Sequence, residues 1–185
     1  MQIYYVGNYA VPVIPKINLS TIAILEPAQK EDMPISGDWK FAWTEFWDKT
    51  DFQYQGIVKL NYDGALSGLM RFALYSNEDD TPYLLEILHL ESVPQDKRLI
   101  DPIGRWLIWY AVKVAFSFCV IKEDEPLIQL DSTEKAIPYY SDIVGMRPIR
   151  WTTIAPGEDG YIFQFTLKTA KAFCERQTKS YGYPT

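Results

Sequence analysis

A chain of 185 residues with 48% hydrophobic and 15% aromatic content closes one good core and is short for two, so a single globular domain over 1–185 is expected. Its net charge of −6 and the lack of any Lys/Arg run longer than Lys97-Arg98 leave no basic field for a phosphate backbone, which argues against nucleic acid as a partner. One histidine, His89, and two distant cysteines, Cys119 and Cys174, leave no basis for multi-histidine metal sites, zinc knuckles or a disulfide framework, and no metal is expected.

Residues 1–35 mix short β-type runs (QIYYV, STIAIL) with four prolines, the pattern of an extended arm or edge strand plus loop. They carry no basic, cleavable leader, and the most apolar run, residues 106–121, is short for a membrane span and includes Lys113. With the cysteines read as buried thiols in a reducing compartment, a cytoplasmic protein without membrane contact is expected. SGDWKFAWTEFWDK then reads as a helix, because Trp39, Trp43, Phe46 and Trp47 repeat at i, i+4, i+7 and i+8 behind Ser36 or Asp38 as N-cap.

The period then changes. Residues 53–62, 66–75 and 83–93 are strand-length, rich in β-formers, and separated by Asp63-Gly64 and by Asn77-Glu78-Asp79-Asp80, which predicts an antiparallel meander. A helix over 102 to about 118 follows, apolar on nearly every side and therefore covered on both, with Asp101-Pro102 read as its N-cap and first residue. PLIQLDST (126–133) reads as a buried strand parallel to the one before the helix, and 134–144 as a short helix stopped by Gly145. RPIRWTTIA and GYIFQFTL flank PGEDG as a hairpin, and 168–177 forms a closing helix.

This order of elements resembles the GNAT superfamily of acyl-CoA N-acyltransferases over about residues 57–167. Two local sequences carry the resemblance. A strand ending in Val93-Pro94, with Arg98 and Gly104 after it, is similar to the family's R/Q-x-x-G-x-G/A loop, whose backbone N–H groups hold the coenzyme A pyrophosphate at a helix start. Ala136, Tyr140, Gly145 and Met146 resemble the family's A-x-x-x-Y-x-x-x-G-F/M helix, which carries a tyrosine near the acyl sulfur. Both stretches are one residue longer here, and Asp101-Pro102 stands where the first loop glycine belongs.

The resemblance implies a mixed α/β (α+β) fold, with a mostly antiparallel central sheet, helices on both faces and a C-terminal hairpin. It implies transfer of an acyl group from acetyl-CoA or another acyl-CoA, as co-substrate, to an amine of a small molecule or peptide; a homodimer is the assembly expected. Glu86, flanked by Leu85 and Ile87, is the base where some family members carry a glutamate, and apolar neighbours raise a carboxyl pKa toward the useful range. His89, read on the opposite face from Glu86 by strand alternation, is the alternative base. Tyr140 is the acid, with Tyr139 beside it. Coenzyme A binding falls to Leu90, Glu91, Val93, Arg98, Ile103, Gly104 and Arg105, with the backbone of 90–93 aligning the pantetheine arm like an added strand. A carboxylate of Asp101 seated on the helix N–H groups would compete with pyrophosphate, and this keeps open a second reading: a GNAT-fold binding or assembly module without a coenzyme site. The Trp39, Trp43, Trp47 stripe is read as core, with an acceptor wall as the alternative.

Overall fold

The computed structural model describes residues 4–17, 20–35 and 37–185. Among them, eight strands form one sheet in the order β1 (Tyr9–Pro12), β3 (Ile22–Pro27), β4 (Gln55–Tyr62), β5 (Ala65–Ser76), β6 (Pro82–Ser92), β8 (Ile128–Thr133), β10 (Glu158–Phe165), β9 (Arg147–Ala155), and a two-stranded ribbon pairs β2 (Ile14–Pro15) with β7 (Ile100–Asp101). Every neighbouring pair is antiparallel except β6 and β8, which the crossover helix α2 (Gly104–Phe118) forces to run in parallel. The meander, the crossover and the closing hairpin are those expected from the sequence. Asp63 (φ 50°) and Gly64 (φ 76°) both take positive φ between β4 and β5, the turn that an Asp-Gly pair supports best.

Helix α2 is buried along nearly its whole length, from Trp106 through Val112 and again at Val114 and Ala115. One side packs on the sheet; the other is roofed by α3 (Leu167–Tyr181) and by the N-terminal arm. Trp106 Nε1 donates to the Pro12 carbonyl (2.7 Å) and the Tyr110 hydroxyl to Gly7 (3.0 Å), so the arm's unpaired carbonyls are satisfied by the helix that it covers. The opposite face of the sheet holds a smaller core of Ala28, Met33, Trp43, Ile57 and Leu69 beneath the short helix α1 (Trp43–Asp48). Helices thus lie on both faces, and no helix among the described residues is long and apolar enough to cross a membrane. Both cysteines are free, Cys119 buried and Cys174 half-buried, and burial pushes each thiol up to about 12.

Several local expectations are corrected. Helix α1 starts at Trp43 rather than near residue 38, because Glu91 takes the backbone N–H groups of Lys40 (2.5 Å) and Phe41 (3.2 Å) and holds the preceding segment out of helical register; Asp38 pairs instead with Lys97 (2.6 Å). Ser36, the other suggested cap, lies outside the described residues. Asp101 does not cap α2: pairing with Ile14 keeps it in β7, Ile103 is the N-cap residue, and no side chain accepts from the helix start. The hairpin between β9 and β10 turns on Pro156-Gly157 alone, since Gly157 (φ 80°) supplies the left-handed residue that a tight turn after proline needs.

Candidate active site

Strands β6 and β8 are paired over only three positions, Leu85 with Ile128, Glu86 with Gln129 and Ile87 with Leu130. Beyond them β6 continues to Ser92 against β5, and β8 continues to Thr133 against β10. The sheet therefore splits into a wedge whose two edges carry backbone groups with no strand between them. Where the split begins, β6 carries a bulge: Ile87 pairs with Phe72 and His89 with Arg71, which leaves Leu88 as the extra residue.

The bulge changes the face of everything after it. Glu86 pairs with Ala73 and His89 with Arg71, and those partners lie two residues apart, so Glu86 and His89 share the α1 face. The expectation that they face opposite ways fails for this reason. His89 stacks on Phe46 (3.9 Å between centroids), beside Phe41 (5.1 Å) and Trp43 (6.4 Å). Burial, with the Arg71 charge added, lowers its pKa to about 4, so the imidazole is neutral near pH 7.

Two clefts open from the wedge and meet at Lys40, Phe41 and Leu90. The larger, about 580 Å³, runs along Leu90, Glu91, Ser92 and Val93 to Arg98, Gly104 and Tyr139. It ends on the first turn of α2, where the leading N–H groups have no intrahelical acceptor. Arg98 donates to Ser92 Oγ (2.8 Å), faces Asp101 at 3.5 Å, and leaves its buried Nε without a partner. The carboxylate of Asp101 is thus turned to Arg98 instead of the helix start. At Gly104 a Cβ would stand 2.9 Å from the Tyr139 hydroxyl, so a larger residue there would press on that side chain and narrow the cleft. Burial, with the Tyr140 phenol adding to it, pushes the Tyr139 phenol up to about 12 against the opposing charges of Arg105 and Arg98.

The smaller cleft, about 370 Å³, passes through the wedge itself and is lined by His89 on β6, by Leu130, Asp131 and Ser132 on β8, and by Tyr140. Alternation along β8 separates two sides. Gln129 accepts from Gln164 (2.9 Å) and pairs with Glu86, so Gln129 and Asp131 lie on the α1 face; Leu130 and Ser132 lie on the α2 face, where the Ser132 hydroxyl is the hydrogen-bond neighbour of Tyr140. Burial raises the Tyr140 pKa. Tyr140 and Tyr139 are presented by a π-helical turn, Tyr139–Val144, closed by Gly145 at φ 84° with Met146 N–H donating to the Tyr140 carbonyl (2.8 Å). A π turn spends one more residue than an α turn, and this absorbs the additional residue between Tyr140 and Gly145.

The candidate residues therefore separate. Leu90, Glu91, Val93, Arg98 and Gly104 come together in the larger cleft, and Tyr140 lies in the adjoining one. Ile103 is buried against Gly68, and Arg105 lies over the Tyr181 ring (5.0 Å) and donates to its hydroxyl, lining a separate hollow with Arg176 and Gln177. Glu91 spends its carboxylate on Lys40, Phe41 and the Trp43 indole N–H (2.8 Å). Glu86 accepts from the Tyr75 hydroxyl (2.5 Å) and lines neither cleft. The sequence reading omitted Asp131 and the segment Lys40-Phe41. Asp131 had a signal, because Gln129 and Asp131 alternate with Ile128 and Leu130 and mark one polar strand face; the bulge at Leu88 had none.

No protein-family model matches the sequence, and no curated protein matches it. Solved structures do match, at low identity. RimJ of Mycobacterium smegmatis, solved in complex with CoA-disulfide, superposes with a TM-score of 0.65 at 11% identity over 100% of this chain and 99% of that one. Arabidopsis thaliana Naa50, in complex with the bisubstrate analogue CoA-Ac-MVNAL, gives 0.54 at 12% over 78% and 99%. A GNAT family acetyltransferase of Bacillus cereus gives 0.52 at 13% over 78% and 96%. At such identities the agreement is one of backbone architecture, and the fold of this chain is that of the GNAT superfamily.

Proposed function

We propose that the chain is an N-acyltransferase that moves an acyl group from coenzyme A to a primary amine. The observation that carries this reading is the early end of the β6–β8 pair, which opens two adjoining clefts, one between the strand edges and one along β6 to the uncapped start of α2. An extended pantetheine chain lies along an open strand edge as an added strand does, and backbone groups of 90–93 are the ones offered. A pyrophosphate suits the free N–H groups and positive dipole end of α2, with Arg98 as the charged partner and Gly104 leaving room for it. RimJ was solved with CoA-disulfide and Naa50 with a CoA-peptide conjugate, which supports this use of the fold.

Tyr140, on the α2 face of the wedge, is placed to protonate the departing thiolate. The amine enters from the other face, along His89, Phe41 and Asp131; its chemical class is a small molecule or a peptide N-terminus. Acetyl-CoA at 100 times its Kd raises stability by about 2.7 kcal/mol if it binds only the folded chain, a rise of several degrees in Tm. Arg98→Ala should weaken that affinity about tenfold. A folded parent protein whose Tm is unmoved by millimolar acetyl-CoA removes the acyltransferase reading.

A further inference from the structure

Asp131 is the first residue of β8 beyond the last parallel pair, Ile87 with Leu130, so it stands at the apex of the wedge. It lies on the face from which the amine would enter, while Ser132 and Tyr140 occupy the other. We infer that Asp131 is the proton acceptor for the attacking amine, and that Glu86, whose strand partner Gln129 lies two residues before Asp131 on the same face, is a positioning residue that acts on it through space; the inference rests on the acyl-transfer reading above.

The alternatives are spent elsewhere. Glu86 is committed to the Tyr75 hydroxyl and lines neither cleft. His89 is stacked among Phe41, Trp43 and Phe46 with the Arg71 charge close by, so its ring is held by aromatic neighbours and a second cation there is disfavoured. Glu158 lies beyond the β8–β10 ladder, which starts at Gly160 with Thr133, and so stands at the mouth, away from the apex of the wedge. Asp131 is open to the cleft, as a group that meets substrate must be, yet burial of its carboxyl raises its pKa, the Glu86 charge adds to the rise, and Arg150 on β9 opposes it. Glu86, Tyr75 and Arg150 are the titratable or charged groups that act on Asp131 from outside the cleft, and His89, Glu158, Lys40 and Tyr140 are those that line it. A carboxylate beside a second carboxylate holds a proton more readily, which is what a base for an ammonium needs.

The ammonium gives one proton to Asp131, which passes it to solvent; the freed lone pair forms the C–N bond at the thioester carbon. On collapse the C–S bond breaks, sulfur leaves as thiolate and takes the Tyr140 proton, and the second proton shed by nitrogen restores the phenol.

The test uses the full chain with acetyl-CoA and three primary amines, tryptamine, spermidine and trialanine, following release of coenzyme A, with the fastest amine carrying the comparison. Asp131→Asn should lower kcat by about 10²-fold or more at pH 7 while leaving the KM for acetyl-CoA and the acetyl-CoA shift in Tm unchanged. Its residual rate should climb about tenfold per pH unit from 7 to 9 with tryptamine or spermidine, and should rise and level off at about pH 8 with trialanine, because only amine that is already free can react when no base is present. Glu86→Gln should lower kcat only a few-fold and move the acid limb of the kcat/KM profile to lower pH, since removing the neighbouring charge lets Asp131 lose its proton more easily. An Asp131→Asn variant within threefold of the parent, or one that is slow at every pH while still stabilised by acetyl-CoA, overturns the assignment of Asp131 alone. A parent that acetyl-CoA fails to stabilise overturns the acyl-transfer reading beneath it.

Discussion

The two halves of the sheet are built on different terms. From β4 to the first part of β6 both faces are covered: residues 56–60 and 67–74 are buried without interruption, Trp43 and its neighbours closing one face and α2 the other. Beyond the wedge, β9 is exposed along most of its length, with Ile149, Trp151 and Ile154 open to solvent. One half holds the molecule together; the other provides one wall of a cleft and a polar face on which substrate chemistry is affordable. Strands buried on both faces read as continuous apolar runs, whereas the open half keeps a polar side, visible in Gln129, Asp131 and Gln164.

One residue type placed in both halves gives the sharpest contrast. Trp43 is fully buried, and its indole N–H is bound by Glu91. Trp43→Ala should therefore cost about 3–5 kcal/mol, read from urea unfolding midpoints. Trp151, 55% exposed and packed at a tilt on Tyr161 (4.0 Å between centroids), should cost about 1 kcal/mol or less on the same change. Similar losses for the two would mean that the hairpin is as much a part of the core as the meander is.

Charge offers a smaller contrast of the same kind. Lys59 is 9% exposed in the covered half, with Asp32 at 2.6 Å and Glu26 at 3.4 Å, so its ammonium replaces lost water with two carboxylates. Lys59→Met should cost about 2–3 kcal/mol, because two partly buried acids lose their cation. Arg150→Met in the open half should stay within about 0.5 kcal/mol. An unchanged unfolding midpoint for Lys59→Met would place that cluster among ordinary surface pairs.

Much of this division was legible in the sequence, and what was hidden has physical causes. Alternation and turn residues marked the meander, the crossover and the hairpin, and the Val93 to Gly104 stretch marked the larger cleft. Three local features escaped. The bulge at Leu88 occurs in the run EILHLES, which has no glycine or proline, and it is set by the partners of β6 on either side rather than by local propensity. The bond from the Tyr75 hydroxyl on the neighbouring strand to the Glu86 carboxylate, and the absence of Glu86 from the lining of either cleft, follow from register and leave no local trace. Asp101 before Pro102 looks like a helix cap until β2, nearly ninety residues earlier, pairs with it. Each is a case of a distant segment overruling a local pattern.

His89 sits on the boundary between the two halves, and its titration measures how well the covered half closes over it. The ring is neutral and packed on Phe46 in the folded state, with Arg71 near enough to disfavour a second cation. Its folded pKa of about 4 lies below the ordinary histidine value near 6.5. Above pH 6.5 neither state binds the proton, and stability does not depend on this group. Between 6.5 and 4 the unfolded chain binds it and the folded chain does not, so stability falls as pH falls through that window. Allowing for partial exposure of the ring, the loss should reach about 2 kcal/mol. His89→Phe keeps an aromatic ring against Phe46 and removes the titration, so its unfolding free energy should decline less steeply than the parent's between pH 6.5 and 4. The difference between the two curves is the contribution of this ring, because carboxylates titrate in both proteins. Parallel curves would show that the imidazole is solvated through the cleft, and would move the boundary of the covered half from His89 back to Ile87.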